Sequence, residues 1–436
     1  MPASRTWLAA ALALALALLL APAAHATNGM YLTAYGTEAM GRGGANLAIS
    51  DRSLAIGFNP AGIAQLQGNH FSANLATMAP SLEFENMVNG PTDAKSRYFT
   101  MPSVAYVRGA KGSPWTWGIG FIGQGGMGAT FEKLNTFFGT VDGTYTQVRF
   151  MTISPTVAYS FSEDFAVGAT MNVGYADASF RFFPGTSFFN TQMPAMSFFG
   201  VKMENAHGYQ QNFRLGAWWR PHPKVSLGAI YQTETDSTFD NGDMQVNFTG
   251  HPLLGRKVHY DGKMDGFTFA AQAGLGIALR PNDRWTIALD VKKNYWDDAL
   301  NTITVSSSNP DTPGAPDVVM PFVFNWKDQW VYALGVDYRA SERLTLRAGY
   351  NFGENPVPAE TLTPLFPATV EKHATIGMTW MGETGRTYEL ALEHAFNASQ
   401  TNNNVDPFVN PFGPGARVDH SQWTLSFGVS WAWARK

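Results

Sequence analysis

The sequence predicts an all-β fold: a transmembrane antiparallel β-barrel of about 14 strands with a small N-terminal plug in its lumen. Three observations predict it. From residue 70 onward, apolar residues alternate with small or polar ones at period two, over segments of about ten residues or more. The connections between those segments are short and long by turns. The stretch before them, residues 27–69, lacks the alternation and is dense in glycine and alanine.

At the start, residues 1–26 read as a cleaved signal peptide. Arg5 supplies the positive n-region, Leu8–Leu20 the apolar core and Ala24-His25-Ala26 a small-x-small cleavage site. The apolar run, about 13 residues, is too short to span ~30 Å of hydrocarbon. Composition then narrows the class of the mature chain. Aromatics make up 14 % of the sequence, charged residues 15 %, and there is no Cys, so this is not a small disulfide-stapled secreted domain. A formal net charge of −4 gives no reason to expect nucleic-acid binding. A large extracellular β-protein and an outer-membrane barrel remain.

Residues 37–62, TEAMGRGGANLAISDRSLAIGFNPAG, come next. Gly41, Gly43, Gly44, Ala45, Ala48, Ala55, Gly57, Ala61 and Gly62 let backbone pack closely and turn sharply. Pro60 removes a donor and pushes Asn59 away from the α region. The physical reading is a compact segment that fits inside something, here a plug over 27–69, with the barrel over 70–436.

The strands are predicted at about 70–79, 97–108, 114–124, 146–160, 164–181, 208–220, 223–239, 259–280, 284–298, 329–339, 342–352, 371–382, 385–398 and 419–433. The last is the clearest: Trp423, Leu425, Phe427, Val429, Trp431 and Trp433 share one face, and Thr424, Ser426, Gly428, Ser430 and Ala432 the other. A soluble sandwich would bury the apolar face. With a small, polar opposite face and aromatics near both ends, the apolar face is expected to meet lipid and the polar one a lumen. Six short turns interleave with seven long loops, at about 80–96, 125–145, 182–207, 240–258, 299–328, 353–370 and 399–418. Both termini then lie on the short-turn side, which is periplasmic in Gram-negative outer-membrane barrels. Glycines at 118, 120, 123, 125 and 126 would permit a bulge in the third strand.

Gly41-Arg42, Ala48, Asp51 and Asn59-Pro60-Ala61, soon after a signal peptide, resemble the N-terminal hatch of the FadL/TodX family of outer-membrane long-chain fatty-acid and aromatic-hydrocarbon transporters. Gly126–Phe138 is similar to the family's loop after the third strand. Trp326-Lys327-Asp328, Ala333-Leu334-Gly335, Leu346-Arg347-Ala348-Gly349 and Pro356-Val357-Pro358 are similar to its later strands. One departure is the continuation past Trp433 with Ala434-Arg435-Lys436, where family members commonly end on an aromatic residue. The resemblance implies passive uptake of a hydrophobic small molecule through a monomeric barrel. It implies a gate at Gly41, Arg42, Asp51, Asn59, Pro60 and Ala61. The expected surroundings are outer-membrane lipid, lipopolysaccharide and the barrel-assembly machinery.

No catalytic motif is present: no Gly-x-Ser-x-Gly, no His-Glu-x-x-His and no phosphate-binding glycine loop. The nine His are scattered, and neither metal nor other cofactor is expected. Instead, apolar residues crowd the long loops. Phe131, Phe137 and Phe138 in one, with Phe188, Phe189, Phe198 and Phe199 in another, are candidates for substrate capture, adaptable through neighbouring Met. Packing of the loops on each other is the plainer reading. Arg181 and Lys327 are candidate contacts for a carboxylate, Arg181 lying near the family's basic position but one residue off; a headgroup or loop ion pair is the alternative for Arg181. A general porin, a barrel lipid enzyme and a structural or adhesion barrel stay open as other functions.

Overall fold

The computed structural model describes residues 28–235 and 237–433, with the backbone alone at Met127. The leader predicted over 1–26 and the tail Ala434-Arg435-Lys436 lie outside the described residues. Fourteen wall strands are found among those residues, all antiparallel to their neighbours. They are β1 (Gly68–Asn86), β2 (Phe99–Gly109), β3 (Trp115–Asn135), β4 (Val141–Ser160), β5 (Phe165–Phe188) and β6 (Phe198–His222). Four then run in two segments each: β7 (Val225–Gln232, Phe239–Asn247), β8 (Lys257–Asp265, Ala271–Asn282), β9 (Trp285–Tyr295, Thr302–Ser308) and β10 (Val319–Val323, Gln329–Arg339). The last are β11 (Leu344–Gly353), β12 (Lys372–Met381), β13 (Thr387–Asn402) and β14 (Ala416–Trp433). β14 pairs back onto β1 from Asn69↔Trp433 to Glu85↔Arg417, so the sheet closes on itself.

The polarity of the wall is inverted relative to a soluble protein. On β14, Leu425 is 51 % exposed on the outside while Ser426, one residue on, is 0 % exposed inside. Trp423 and Phe427 point out with Leu425; Thr424 and Ser430 point in. Such a face is stable only against an apolar medium. No helix among the described residues is long and apolar enough to cross a membrane, so the strands do the crossing.

Several hairpins are longer than the sequence reading. β6 runs 25 residues, where a tilted crossing needs ~9–11. Most of the predicted loops 125–145 and 182–207 is ladder: Phe131 pairs with Thr144, and Phe182 with Val201. Past the lipid band the inward face becomes apolar, because hairpins that project beyond the membrane bury it on one another. Phe131, Phe180 and Phe182 therefore join one large core with residues from β7, β8, β9 and β10.

Residues 28–67 lie within the lumen. Their regular pieces are one short helix, α1 (Thr37–Gly41), and two 3-10 turns, Ser53–Gly57 and Pro60–Gln65. Leu47, Ala48, Ile56 and Ala61 are fully buried, although no strand of their own shields them. The barrel wall is their core.

Candidate functional site

The plug is seated on glycine. Asn59 is wholly buried; its amide donates to the carbonyls of Leu47 (2.7 Å) and Ala217 (3.1 Å), and its Oδ1 accepts from the Ala61 N–H (3.2 Å). Pro60 opens the following turn with its fixed φ. Directly opposite stand wall glycines. A Cβ on Gly216 would lie 2.2 Å from Asn59 Oδ1, and one on Gly168 2.5 Å from the Pro60 carbonyl carbon. The same close approach recurs around the wall: Gly349 and Gly335 against Arg42, Gly377 against Gly41, and Gly228 against Leu47. At each of these positions the wall lacks the side-chain atom that would collide with the plug.

Wall side chains then satisfy the plug's backbone. Asp290 Oδ2 accepts from the N–H groups of Asn46 (2.7 Å) and Leu47 (3.0 Å). Ser226 (2.8 Å) and Trp218 (3.0 Å) donate to the Ala48 carbonyl, and Thr375 donates to that of Gly41 (3.1 Å). Buried backbone groups must be paired, so these contacts specify how the plug sits as well as holding it.

A buried ion network ties the same surfaces. Arg42 donates to Asp337 (2.7 Å) and lies 3.7 Å from Glu38; Arg347 of the wall reaches Glu38 (3.2 Å) and Asp337 (3.4 Å), and Arg52 pairs with Glu38 (3.0 Å). Burial works against charge on Glu38, but Arg52, Arg347 and Arg42 together outweigh it and hold the carboxyl well below the usual carboxylate range. Asp51 is exposed and acts on Arg42 and Arg52 through its field.

Beyond the plug the wall is irregular. β2 follows β3 from Gly109↔Thr116 only as far as Ser103↔Ile122, and the next residue outward, Pro102, has no N–H to donate. On β3 the register against β4 slips between Gly123 and Gly125, leaving Gln124 as an extra residue. Gly125 takes φ +145°, a conformation L side chains rarely adopt, and a Cβ there would lie 2.5 Å from the Met30 carbonyl oxygen. The plug occupies this break: Tyr31 bridges to Gly125, and the Tyr35 hydroxyl donates to the Gln124 carbonyl (3.1 Å).

A cavity of about 280 Å³ starts at plug residues Met30–Thr33 and runs to this break. Along β4 it is lined both by inward Val148 and Phe150 and by outward Gln147, Arg149 and Met151. A space that touches both faces of one strand passes through the sheet. Its other margins are Met101 and Pro102 on β2 and the side-chain-free Gly123, Gly125, Gly126 and Gly128 on β3. Its inner end is polar, with His373 on β12, Glu393 on β13 and His420, Gln422 and Thr424 on β14.

Above the cavity an aromatic column leads to the far end of the barrel. Phe138 stacks on Phe188 (5.3 Å) and Phe198 (4.8 Å), and Phe198 meets Phe182 (5.6 Å). Phe182 and Phe180 both meet Phe322, and Phe180, Phe322, Phe324 and Phe366 line one small void. Phe366 then touches Phe267 (6.0 Å), and Phe267 touches Phe150 (5.7 Å) on the cavity wall.

The residues singled out from sequence fall in different places. Phe137 and Phe188 are exposed at the rim; Phe138, Phe198 and Phe199 are half-buried beneath, and Phe189 packs on His251. Phe131 is in β3, fully buried against Phe84. Arg181 is on the outward face of β5 and ion-paired with Glu204, which Lys202 also holds; it does not face the lumen. Its strand phase, shared with Val173 and Tyr175, carries that information in the sequence. Lys327 is exposed in the connection between the two segments of β10 and does not line the cavity. His373, Glu393 and His420 were not singled out as site residues. Their strand phase was readable, but not that three separate strands meet at one cavity. Among the described residues no group of His, Asp and Glu is placed to hold a metal ion.

A plugged, lipid-facing barrel with an apolar through-wall cavity defines a class: an outer-membrane channel. The sequence profile of the family described as "Outer membrane protein transport protein (OMPP1/FadL/TodX)" matches residues 17–431, and the chain belongs to that family. It is an outer-membrane channel for hydrophobic compounds, not an enzyme. Among solved structures it is similar to the Pseudomonas putida toluene transporter TodX, with a TM-score of 0.75 at 18 % identity, covering 93 % of this chain and 100 % of that one. The Ralstonia pickettii toluene transporter TbuX gives 0.72 at 18 %, covering 92 % and 99 %. A Pseudomonas aeruginosa FadL homologue gives 0.75 at 14 %, covering 93 % and 99 %. No sequence among the curated proteins matches.

Proposed function

We propose that this channel takes up small, largely apolar molecules of hydrocarbon type by passive diffusion and releases them sideways into the membrane. The through-wall cavity is the observation that carries this reading. An apolar solute leaving axially would have to displace a plug held by buried ions and hydrogen bonds. A solute already in the cavity has a path between β2 and β3 bordered by glycine. The solved toluene transporters share the fold, which favours an aromatic or alkyl substrate over a sugar. Phe137, Phe138, Phe188, Phe189, Phe198 and Phe199 form the capture surface, and the aromatic column guides solute to the cavity. Gly41, Arg42, Asp51, Asn59, Pro60 and Ala61 belong to a hatch over 27–69 that shuts the axial route for water and ions.

In a Gram-negative host without other hydrocarbon channels, the chain is expected to speed uptake of labelled toluene at low concentration and leave uptake of labelled glucose unchanged. The reverse selectivity would make it a general porin. In the same assay, replacing Phe188, Phe189, Phe198 and Phe199 together by Ser removes apolar contact worth at most ~1.5–3 kcal/mol per fully buried ring. Because these rings would be only partly covered by solute, a several-fold loss at low concentration, recovered at high concentration, is expected. Unchanged uptake at every concentration would make the cluster structural.

Both termini are assigned to the periplasmic side, with the barrel monomeric in outer-membrane lipid and lipopolysaccharide after insertion by the barrel-assembly machinery. The short turns support this, since outer-membrane barrels keep such turns inside. The chain has no native Cys, so single cysteines report cleanly. Cysteines at Gln192 or Thr312 should react with an impermeant maleimide on intact cells, and ones at Pro223 or Ser341 should not. Labelling of Pro223 or Ser341 from outside would invert the topology.

A further inference from the structure

We infer that the cavity selects substrates carrying one neutral hydroxyl, as in an alkylphenol or alkanol, over both plain hydrocarbons and carboxylates. The inference rests on the reading of this cavity as the substrate site. His420 lines the cavity and is 7 % exposed; its Nδ1 lies 2.8 Å from the Pro367 carbonyl oxygen. A carbonyl cannot donate, so Nδ1 carries the proton, and in a neutral ring Nε2 is then a bare acceptor. Nε2 is buried and has no partner, and neither has Nδ1 of His373, which is 1 % exposed on the same cavity wall. Two unpaired ring nitrogens at the polar end of a largely apolar space are places for a polar group, with His420 Nε2 as the acceptor.

Charge decides which polar group. The carboxylate of Glu393 lies at that end, already satisfied by the hydroxyls of Thr33 from the plug and Thr424 (3.3 Å). Arg149 is the one Lys or Arg among the described lining residues, and its guanidinium is on the outward face, paired with Asp177 at 2.8 Å. A ligand carboxylate would thus meet a like charge with no cation to offset it. A plain hydrocarbon would strip water from both histidine nitrogens and give nothing back. A hydroxyl donates to His420 Nε2 and leaves its apolar body among Met78, Leu82, Phe99, Met101 and Phe150.

The test is calorimetric titration of the detergent-solubilised full chain with ethylbenzene, 4-ethylphenol, 4-ethylanisole and 4-ethylbenzoate. Each is referenced to its partition into empty micelles. 4-Ethylphenol should bind about tenfold more tightly than ethylbenzene, the scale of one hydrogen bond to a buried group. 4-Ethylanisole, which cannot donate, should fall to the ethylbenzene level, and 4-ethylbenzoate should bind most weakly. His420→Phe should abolish the preference for 4-ethylphenol over ethylbenzene, read as the ratio of the two affinities in the variant. The four-probe comparison on the unaltered chain stands by itself if that variant does not fold. Equal affinity for 4-ethylphenol and 4-ethylanisole, or tightest binding of 4-ethylbenzoate, overturns the inference while the cavity remains a substrate site. Binding of none of the four overturns both.

Discussion

Deleting Gln124 is expected to reduce hydrophobic uptake to the level of cells without the channel, with the barrel still inserted. Gln124 is the extra residue of the β3 bulge: Gly123 stands opposite Met151 and Gly125 opposite Phe150, so its removal makes the pairing continuous. The inward and outward phases on either side are preserved. Phe121 points out before the bulge and Ala129 and Phe131 point in after it, as a straight strand would place them once one residue is gone. Straightened, the outer half of β3 would continue alongside β2 and cover the glycine window. The deletion also removes the carbonyl that accepts from Tyr35, so plug seating has to be checked separately by conductance. Unchanged conductance with lost toluene uptake is the expected pair of results. Full uptake through a straightened strand would mean that solute leaves by another route.

Arg42→Ala is expected to unseat the plug and give a leaky pore. Arg42 is 3 % exposed and joins plug to wall through Asp337. Taking one partner from a buried ion cluster costs roughly 3–5 kcal/mol, because the charges left behind cannot regain water. Spread over a plug held by many contacts, that shifts the seated-to-released ratio by on the order of a hundredfold or more. Planar-bilayer conductance should rise while the wall, whose hydrogen bonds close on themselves, stays intact. Adding Asp337→Ala removes the wall carboxylate that has lost its 2.7 Å partner and should recover part of the seal, a coupling that simple loss of packing would not show. The Glu38 ion pairs should survive mild acidification. Glu38 is held below the usual range, so its contribution is complete above the unperturbed carboxylate pKa of about 4.3 and fades only as pH falls through its lower seated value. The Glu38 contribution to the seal should therefore be constant from pH 7 to about pH 4.5. If Arg42→Ala conducts like the parent, the ion network is not what keeps the hatch closed.

Period-two alternation and the rhythm of short and long connections were enough to establish a closed barrel of fourteen strands, because side-chain direction in a strand is a local property. The small residues before it marked a plug for a similarly local reason: backbone that must touch backbone cannot carry side chains. The alternation failed as a guide beyond the lipid band. There the inward face of β3, β5 and β6 turns apolar while the outward face carries Glu132, Arg181, Lys202 and Glu204, and ladder was taken for loop. Only the tertiary structure decided which wall glycines meet the plug, since Gly216, Gly335 and Gly349 look like any other small residue on an inward face. It alone brought His373, Glu393 and His420 to one end of a cavity with Thr33 of the plug, because that meeting depends on the shear of a closed sheet and on a segment threaded through it. The break between β2 and β3 was permitted by glycine in the sequence. It was decided by Pro102 withholding a donor on one strand while the plug, through Tyr31 and Tyr35, took up the bulge on the other.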